Sequence, residues 1–213
     1  GGYSDSGQTI SAVVESIATL PSVDGTTDEL WLLVRRYING ATRRTIERMA
    51  PFFEETTAQV DAHFVDSGFV YSGGAASTMT GLYPLEGQTV TILADGATHP
   101  DRTVTNGKIT LDRTVTKAQI GFKYISRLKT LVFDKGSQSG TSLGKIQRFS
   151  EVKIKLNRSL GLLAGPVFED MQTVSFRTSA MATAEAVELY TGDVAIDWWG
   201  DYEKGAHICI QHD

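Results

Sequence analysis

The chain is poor in cysteine, holding a single one, Cys209, among 213 residues. One cysteine excludes an intramolecular disulfide and any multi-cysteine metal centre. It stands in the strand-like run HICIQ, where it reads as a buried, inert thiol. Basic charge is not in excess either. The formal net charge is −5, so the chain has no global positive field of the kind that draws nucleic acid, and no specific nucleic-acid binding is expected. No apolar run approaches the length of a membrane span, and the N-terminus has no charged-then-apolar signal pattern, so no membrane partner is expected. The opening GGYSDSG reads as a flexible start, and both ends look cut from something longer.

Catalytic patterns are missing as well. GTSLG (140–144) matches the G-x-S-x-G elbow that would make Ser142 a nucleophile, but that elbow needs a buried strand before it and a helix after it. Here a polar Gly/Ser loop precedes it and a strand-like segment follows. The four histidines, His63, His99, His207 and His212, contain no pair at the i, i+4 spacing of a helical zinc site. The closing pair is oddly spaced and would point to opposite faces of a regular strand. No glycine-rich phosphate loop occurs. Asp197 and Asp201 flank the Trp198-Trp199-Gly200 run, and Glu169-Asp170 follow a Gly-Pro turn, but neither pair has a defined catalytic setting. The expectation is a non-enzymatic chain without cofactor or metal.

What the sequence does have is strand signal, with a period near 2 almost everywhere. TISAVVESIATLP (9–21) suits a strand or a short helix, its β-branched residues and closing Pro21 favouring the strand. Asn-Gly at 39–40 and again at 106–107 marks two hairpins, because both residues tolerate the positive φ of a type I′ turn. Segment 51–63, with Pro51 early and Glu54 and Glu55 near a positive helix end, is the one short helix expected near the front. Val90 and Ile92 share a face before Asp95-Gly96, and Val104, Ile109 and Leu111 are candidate core residues. SEVKIKLN (150–157) alternates Val152, Ile154 and Leu156 inward with Lys153 and Lys155 outward. SAMATAEAVELY (179–190) suits a helix or a loop, and the C-terminal segment suits two strands about a turn near 199–205. The fold class is therefore mainly β: a β-sandwich or barrel-like domain from 1–76 and 131–213, carrying a small β-barrel module over 77–130.

The first hairpin poses a problem in charge. If Asn39 and Gly40 form the whole loop, Arg36 faces Arg43 and Arg35 faces Arg44, and like charges directly opposite destabilise a sheet. Farther on, Trp198, Trp199 and Tyr202 suit a core-and-interface cluster, or the exposed rings of a sugar site.

Together the motifs resemble a family of tailed-bacteriophage structural proteins, found among tail-nozzle and tail-tube-like components. The resemblance runs in order through Trp31 and Asn39-Gly40, the D-A-x-F-V-D-S-G segment at Asp61 to Gly68, the L-E-G-x-x-V-x-x-L-A-D-G module at Leu85 to Gly96, and a T-G-D-V…I-x-I-Q hairpin from Thr191 to Gln211. It covers about residues 28 to 213. It implies a virion structural role in the phage tail, with other subunits of the same protein in a ring and neighbouring tail proteins as partners. It also implies that the 77–130 module is similar to a small β-barrel likened to a domain of ubiquitin-activating enzymes, without ubiquitin chemistry because no catalytic cysteine accompanies it. Arg35, Arg36, Arg43 and Arg44 would then pair with carboxylates across a subunit interface or within one subunit, with Glu54, Glu55, Asp61 and Asp66 as candidates. Trp198, Trp199 and Tyr202 are further interface candidates. The alternative is a carbohydrate-binding or glycan-degrading tail module on that aromatic edge.

Overall fold

Chain direction reverses at Asn39-Gly40 as the dipeptide requires: both residues take positive φ, 51° and 74°, the backbone of a type I′ turn. In the computed structural model, which describes residues 2–5, 8–134, 144–176 and 186–212, the chain is mainly β and every strand pairing is antiparallel. It forms two compact units, Gly1–Tyr124 and Ile125–Asp213.

The first unit holds two four-stranded sheets. One contains β1 (Gly2–Asp5), β2 (Gln8–Pro21), β3 (Asp28–Ile38) and β4 (Ala41–Arg48), adjacent in space in that order. The segment that suited strand or helix is thus strand, and β2 carries a bulge between Val14 and Ser16. The other contains β5 (Asp66–Thr80), β6 (Thr89–Ala94), β7 (Ala97–Thr103) and β8 (Lys108–Phe122), ordered β5-β8-β6-β7. Its turns use Asp95-Gly96 and Asn106-Gly107, again with positive φ. Along β6 buried and half-buried residues alternate strictly. Val90, Ile92, Val104, Ile109 and Leu111 all enter one core with Met79, Leu82, Leu85 and Ile120, and Ile38 from β3 joins them. Arg102 on β7 reaches back to the Thr110 carbonyl and to Asp112 on β8. No sheet among the described residues closes into a barrel.

The helix expected over 51–63 is not formed. The segment has a turn in which the Thr57 amide donates to Glu54 O, then a 3-10 turn at Gln59–Asp61. The reason is competition from the neighbouring sheet. Gln59 donates to the Gly96 carbonyl, the Gln119 amide reaches Val60 O, and Lys117 pairs with Asp61. These contacts tie the segment to its neighbours as separate short turns rather than a continuous helix, and local propensity yields to them.

The division after Tyr124 differs from the partition drawn from the sequence, in which 77–130 stood alone and 1–76 joined 131–213. β8 pairs with β5 from Asp66 to Thr80, which ties residues before 77 into the same sheet. Residues 126–129 form β9 and pair in the second unit.

That second unit orders β13 (Asp170–Thr173), β12 (Leu162–Val167), β16 (Cys209–His212) and β9 (Ser126–Lys129) in one sheet, and pairs β11 (Glu151–Ser159) with β14 (Tyr190–Asp197) and β10 (Ile146–Gln147) with β15 (Glu203–Lys204). Val152 and Leu156 are buried and Lys153 and Lys155 exposed, as alternation predicts. Val152, Ala164, Ile196, Trp198 and Ile208 form the core. The closing segment is not a hairpin: β14 pairs with β11, whereas β16 pairs with β12 and β9. Trp198 and Ile208, buried in the same core between those strands, hold the intervening chain there and send the two strands to different sheets.

Candidate functional site

Cross-strand partners stand on one face of a sheet, so the hairpin register assigns each arginine a side. Arg35 is opposite Arg44 and Arg36 opposite Arg43, and the two pairs occupy opposite faces.

On the first face one carboxylate serves both guanidinium groups. The bulge in β2 inserts Glu15 as an extra residue, which lets it stand beside Ser16 on the Arg35 side. Arg35 Nε donates to Glu15 Oε1 at 2.8 Å, and Arg44 Nε donates to Glu15 Oε2 at 2.7 Å. The hydrogen bond from Arg44, reinforced by its charge and by Arg35, holds the Glu15 carboxyl below its ordinary value against a partial desolvation. In return Glu15 keeps Arg44 more firmly protonated. Farther along this face Arg48 donates to Glu29 at 2.6 Å, and Trp31 Nε1 donates to the other oxygen of that carboxylate at 3.2 Å.

On the second face Arg36 is only 3% exposed. Its guanidinium forks onto Glu47, with Nη2 to Oε2 at 3.0 Å, and Nη2 also reaches Asp66 Oδ1 on β5 at 2.8 Å. Thr45 and Ser67 hydroxyls donate to Glu47 Oε1. Two buried atoms, Arg36 Nε and Asp66 Oδ2, have no hydrogen-bond partner. The cluster is thus an internal brace between the hairpin and β5, and Arg36 faces into its own subunit. Arg43 is exposed and makes no ion pair among the described residues. Of the carboxylates named from the sequence, Asp66 does meet an arginine, Asp61 is taken by Lys117, and Glu54 and Glu55 lie in an exposed loop.

Glu47 and Glu15 were the missed partners. Glu47 had a signal, because it alternates with Arg43 and Thr45 and so shares their face. Glu15 had none, because its position depends on a bulge.

The same sheet leaves large apolar side chains in water on both sides. Val13, Leu20, Tyr37 and Ile46 are exposed on the Arg35 face, and Val14 and Ile17 on the Arg36 face. Only the turn end of the Arg36 face, at Val34, Arg36 and Ile38, is buried.

The aromatic edge is divided. Trp198 is in the core at 5% exposure. Trp199 lies tilted against it at 5.4 Å, its indole N–H donating to Asp170 at 2.7 Å. Tyr202 is 71% exposed, with the Arg148 guanidinium 5.6 Å from its ring centre. Asp197 and Asp201 are exposed.

The histidines are dispersed. His63 Nδ1 bonds Gln119, and His99 is buried with Nδ1 on the Pro100 carbonyl and Nε2 accepting the Asp112 amide. His207 Nδ1 faces Gly205 O, and His212 is exposed at the end of β16. No group of three potential metal ligands occurs among the described residues. Cys209 is buried, its thiol pushed up by burial and aimed at Pro166 O. Ser142 lies outside the described residues. No helix among the described residues is long and apolar enough to cross a membrane. Neither models of protein families nor curated proteins give a match to this chain.

Proposed function

We propose that the chain is a non-enzymatic structural subunit of a virion, a component of a bacteriophage tail that acts through protein–protein contacts in an oligomeric assembly. Its partners on this reading are further copies of the same chain and neighbouring tail proteins. The supporting observation is the β1–β4 sheet, whose exposed apolar side chains stand on both faces while its arginines, Arg43 excepted, are matched to carboxylates within the subunit. Exposed apolar side chains grouped on one sheet suit a contact with another chain. Pairing the charges in advance lowers the cost of burying them there. The ordered motifs from Trp31 to Gln211 lend the phage-tail part of the reading its support.

Purified particles of the phage that encodes the chain provide the test. The expected result is a multi-copy component of the tail in a density map of residue resolution. Absence of the chain from washed, intact particles overturns the reading.

The alternative, a carbohydrate-binding or glycan-degrading module, has less support, because a sugar platform needs exposed rings and Trp198 is buried.

A further inference from the structure

We propose that Asn39 is a site of spontaneous modification, losing its side-chain amide to become aspartate and isoaspartate, and that Glu86 withholds the same reaction from Asn106. The chain repeats one dipeptide in one backbone shape. Asn39-Gly40 has φ of 51° and 74°, and Asn106-Gly107 has 53° and 68°. Both stand at the turn of an antiparallel hairpin, so neither residue type nor local conformation distinguishes them. The reaction depends on the glycine nitrogen, which no side chain screens from the asparagine Cγ. Gly40 N, once its proton has passed to hydroxide, attacks Asn39 Cγ. An N–Cγ bond forms, the Cγ–Nδ2 bond breaks, and Nδ2 takes a proton from water and leaves as ammonia. Water then opens the cyclic imide on either side. Addition at Cγ gives aspartate, and addition at the main-chain carbonyl carbon gives isoaspartate, whose backbone runs through the side chain. One water is consumed and one ammonia released, and nothing is oxidised or reduced.

The surroundings of the two nitrogens differ. Gly40 is exposed, and its amide meets no acceptor among the described residues. The Asn39 carboxamide stands against the exposed turn at Gly87, its Cγ 3.2 Å from where a Cβ on that glycine would lie. At the second turn the Glu86 carboxylate takes both amides, Asn106 N donating to Oε1 at 2.8 Å and Gly107 N to Oε2 at 2.7 Å. A carboxylate on that N–H opposes its ionisation, because the nitrogen anion would stand beside a full negative charge. The same charge-assisted hydrogen bond has to break before the nitrogen can turn onto Asn106 Cγ. Gly107 is also buried, its carbonyl accepts from the Leu82 amide at 2.9 Å, and a Cβ on it would lie 2.7 Å from the Tyr83 ring. The second turn is thereby held shut, and the first is open to water. Conversion has a local consequence. Isoaspartate lengthens a two-residue loop by one main-chain atom, and the adjacent Ile38, 4% exposed, is the residue that anchors the hairpin in the core.

The test holds the full chain in warm, mildly alkaline buffer and follows both sites by peptide mapping with mass spectrometry, isoaspartate being separated from aspartate by its elution. Asn39 is expected to convert at least about tenfold faster than Asn106, a barrier difference of about 1.4 kcal/mol, and to give both products. In concentrated urea, where neither turn persists, the two sites are expected to react at like rates. Glu86→Ala is expected to speed conversion at Asn106 by a similar factor. Should that variant fail to fold, Glu86→Gln removes the charge at nearly the same size. Equal rates in the folded unaltered chain, or a faster Asn106, overturn the proposal. So does an Asn39 that stays intact in the folded chain while both sites react in urea. If Asn106 stays equally slow in the folded Glu86 variant, its protection lies elsewhere and the role given to Glu86 is wrong.

Discussion

Arg35 and Arg44 stand directly opposite one another on β3 and β4, and between them they hold the two oxygens of Glu15, Arg35 at Oε1 and Arg44 at Oε2. A juxtaposition that would destabilise an isolated hairpin becomes a three-strand tie, because the third strand supplies the missing charge.

Glu15→Gln therefore lowers the melting temperature at neutral pH and low salt, and added salt narrows the gap by screening. The sign with pH follows from the depressed carboxyl. Its folded value lies below the ordinary 4.5, so its contribution is complete above that pH and fades as pH falls through the lower value. Melting curves of the two proteins should converge in acid. Identical curves at neutral pH and low salt would mean that the tie adds nothing.

Arg36 and Arg43 face each other too, but their environments are opposite. Arg36→Met strands Glu47 and Asp66 in a largely dry cluster and costs about 3–5 kcal/mol. Arg43→Ala, at an exposed edge, stays within about 0.5 kcal/mol. Urea titration of both variants separates the two, and comparable losses would contradict the burial assigned to Arg36.

Among the aromatics, Trp198→Ala empties a core site and costs about 3–5 kcal/mol. Tyr202→Ala, on the surface, changes stability by less than about 0.5 kcal/mol. A glycan-binding screen on the Tyr202 variant adds a functional readout: loss of a measurable sugar affinity there would favour the carbohydrate alternative.

Asp95 caps the start of the β8 pairing, accepting the Thr116 and Lys117 amides and the Thr116 hydroxyl. Burial would raise its carboxyl, but those donors and Arg113 outweigh it and hold it below the ordinary range. Asp95→Ala costs roughly 1–2 kcal/mol at neutral pH, an amount that shrinks in acid as the native carboxylate protonates. Chemical denaturation at pH 7 and in mild acid checks both the size and the direction.

What the sequence determined by itself was local. Asn-Gly at 39–40 and 106–107 specified turns because few other pairs accept that backbone, and the turn then set the register that opposes Arg35 to Arg44. Alternation assigned Val90, Ile92, Ile109 and Leu111 to a core, since a period of 2 leaves no other face for them. Tertiary structure decided whatever depended on partners distant in the chain. Glu15 reaches Arg35 through a bulge 20 residues away, and Asp66 meets Arg36 from 30 residues away on another sheet. Segment 51–63 carried helix signals but was held as short turns by contacts with Gln119 and Lys117, and the strands at 190–197 and 209–212, close in sequence, went to different sheets. The physical reason is common to these cases. Backbone hydrogen bonds between strands are nearly indifferent to side-chain identity, so the choice of partner falls to packing and charge, and those exist only once the chain has folded.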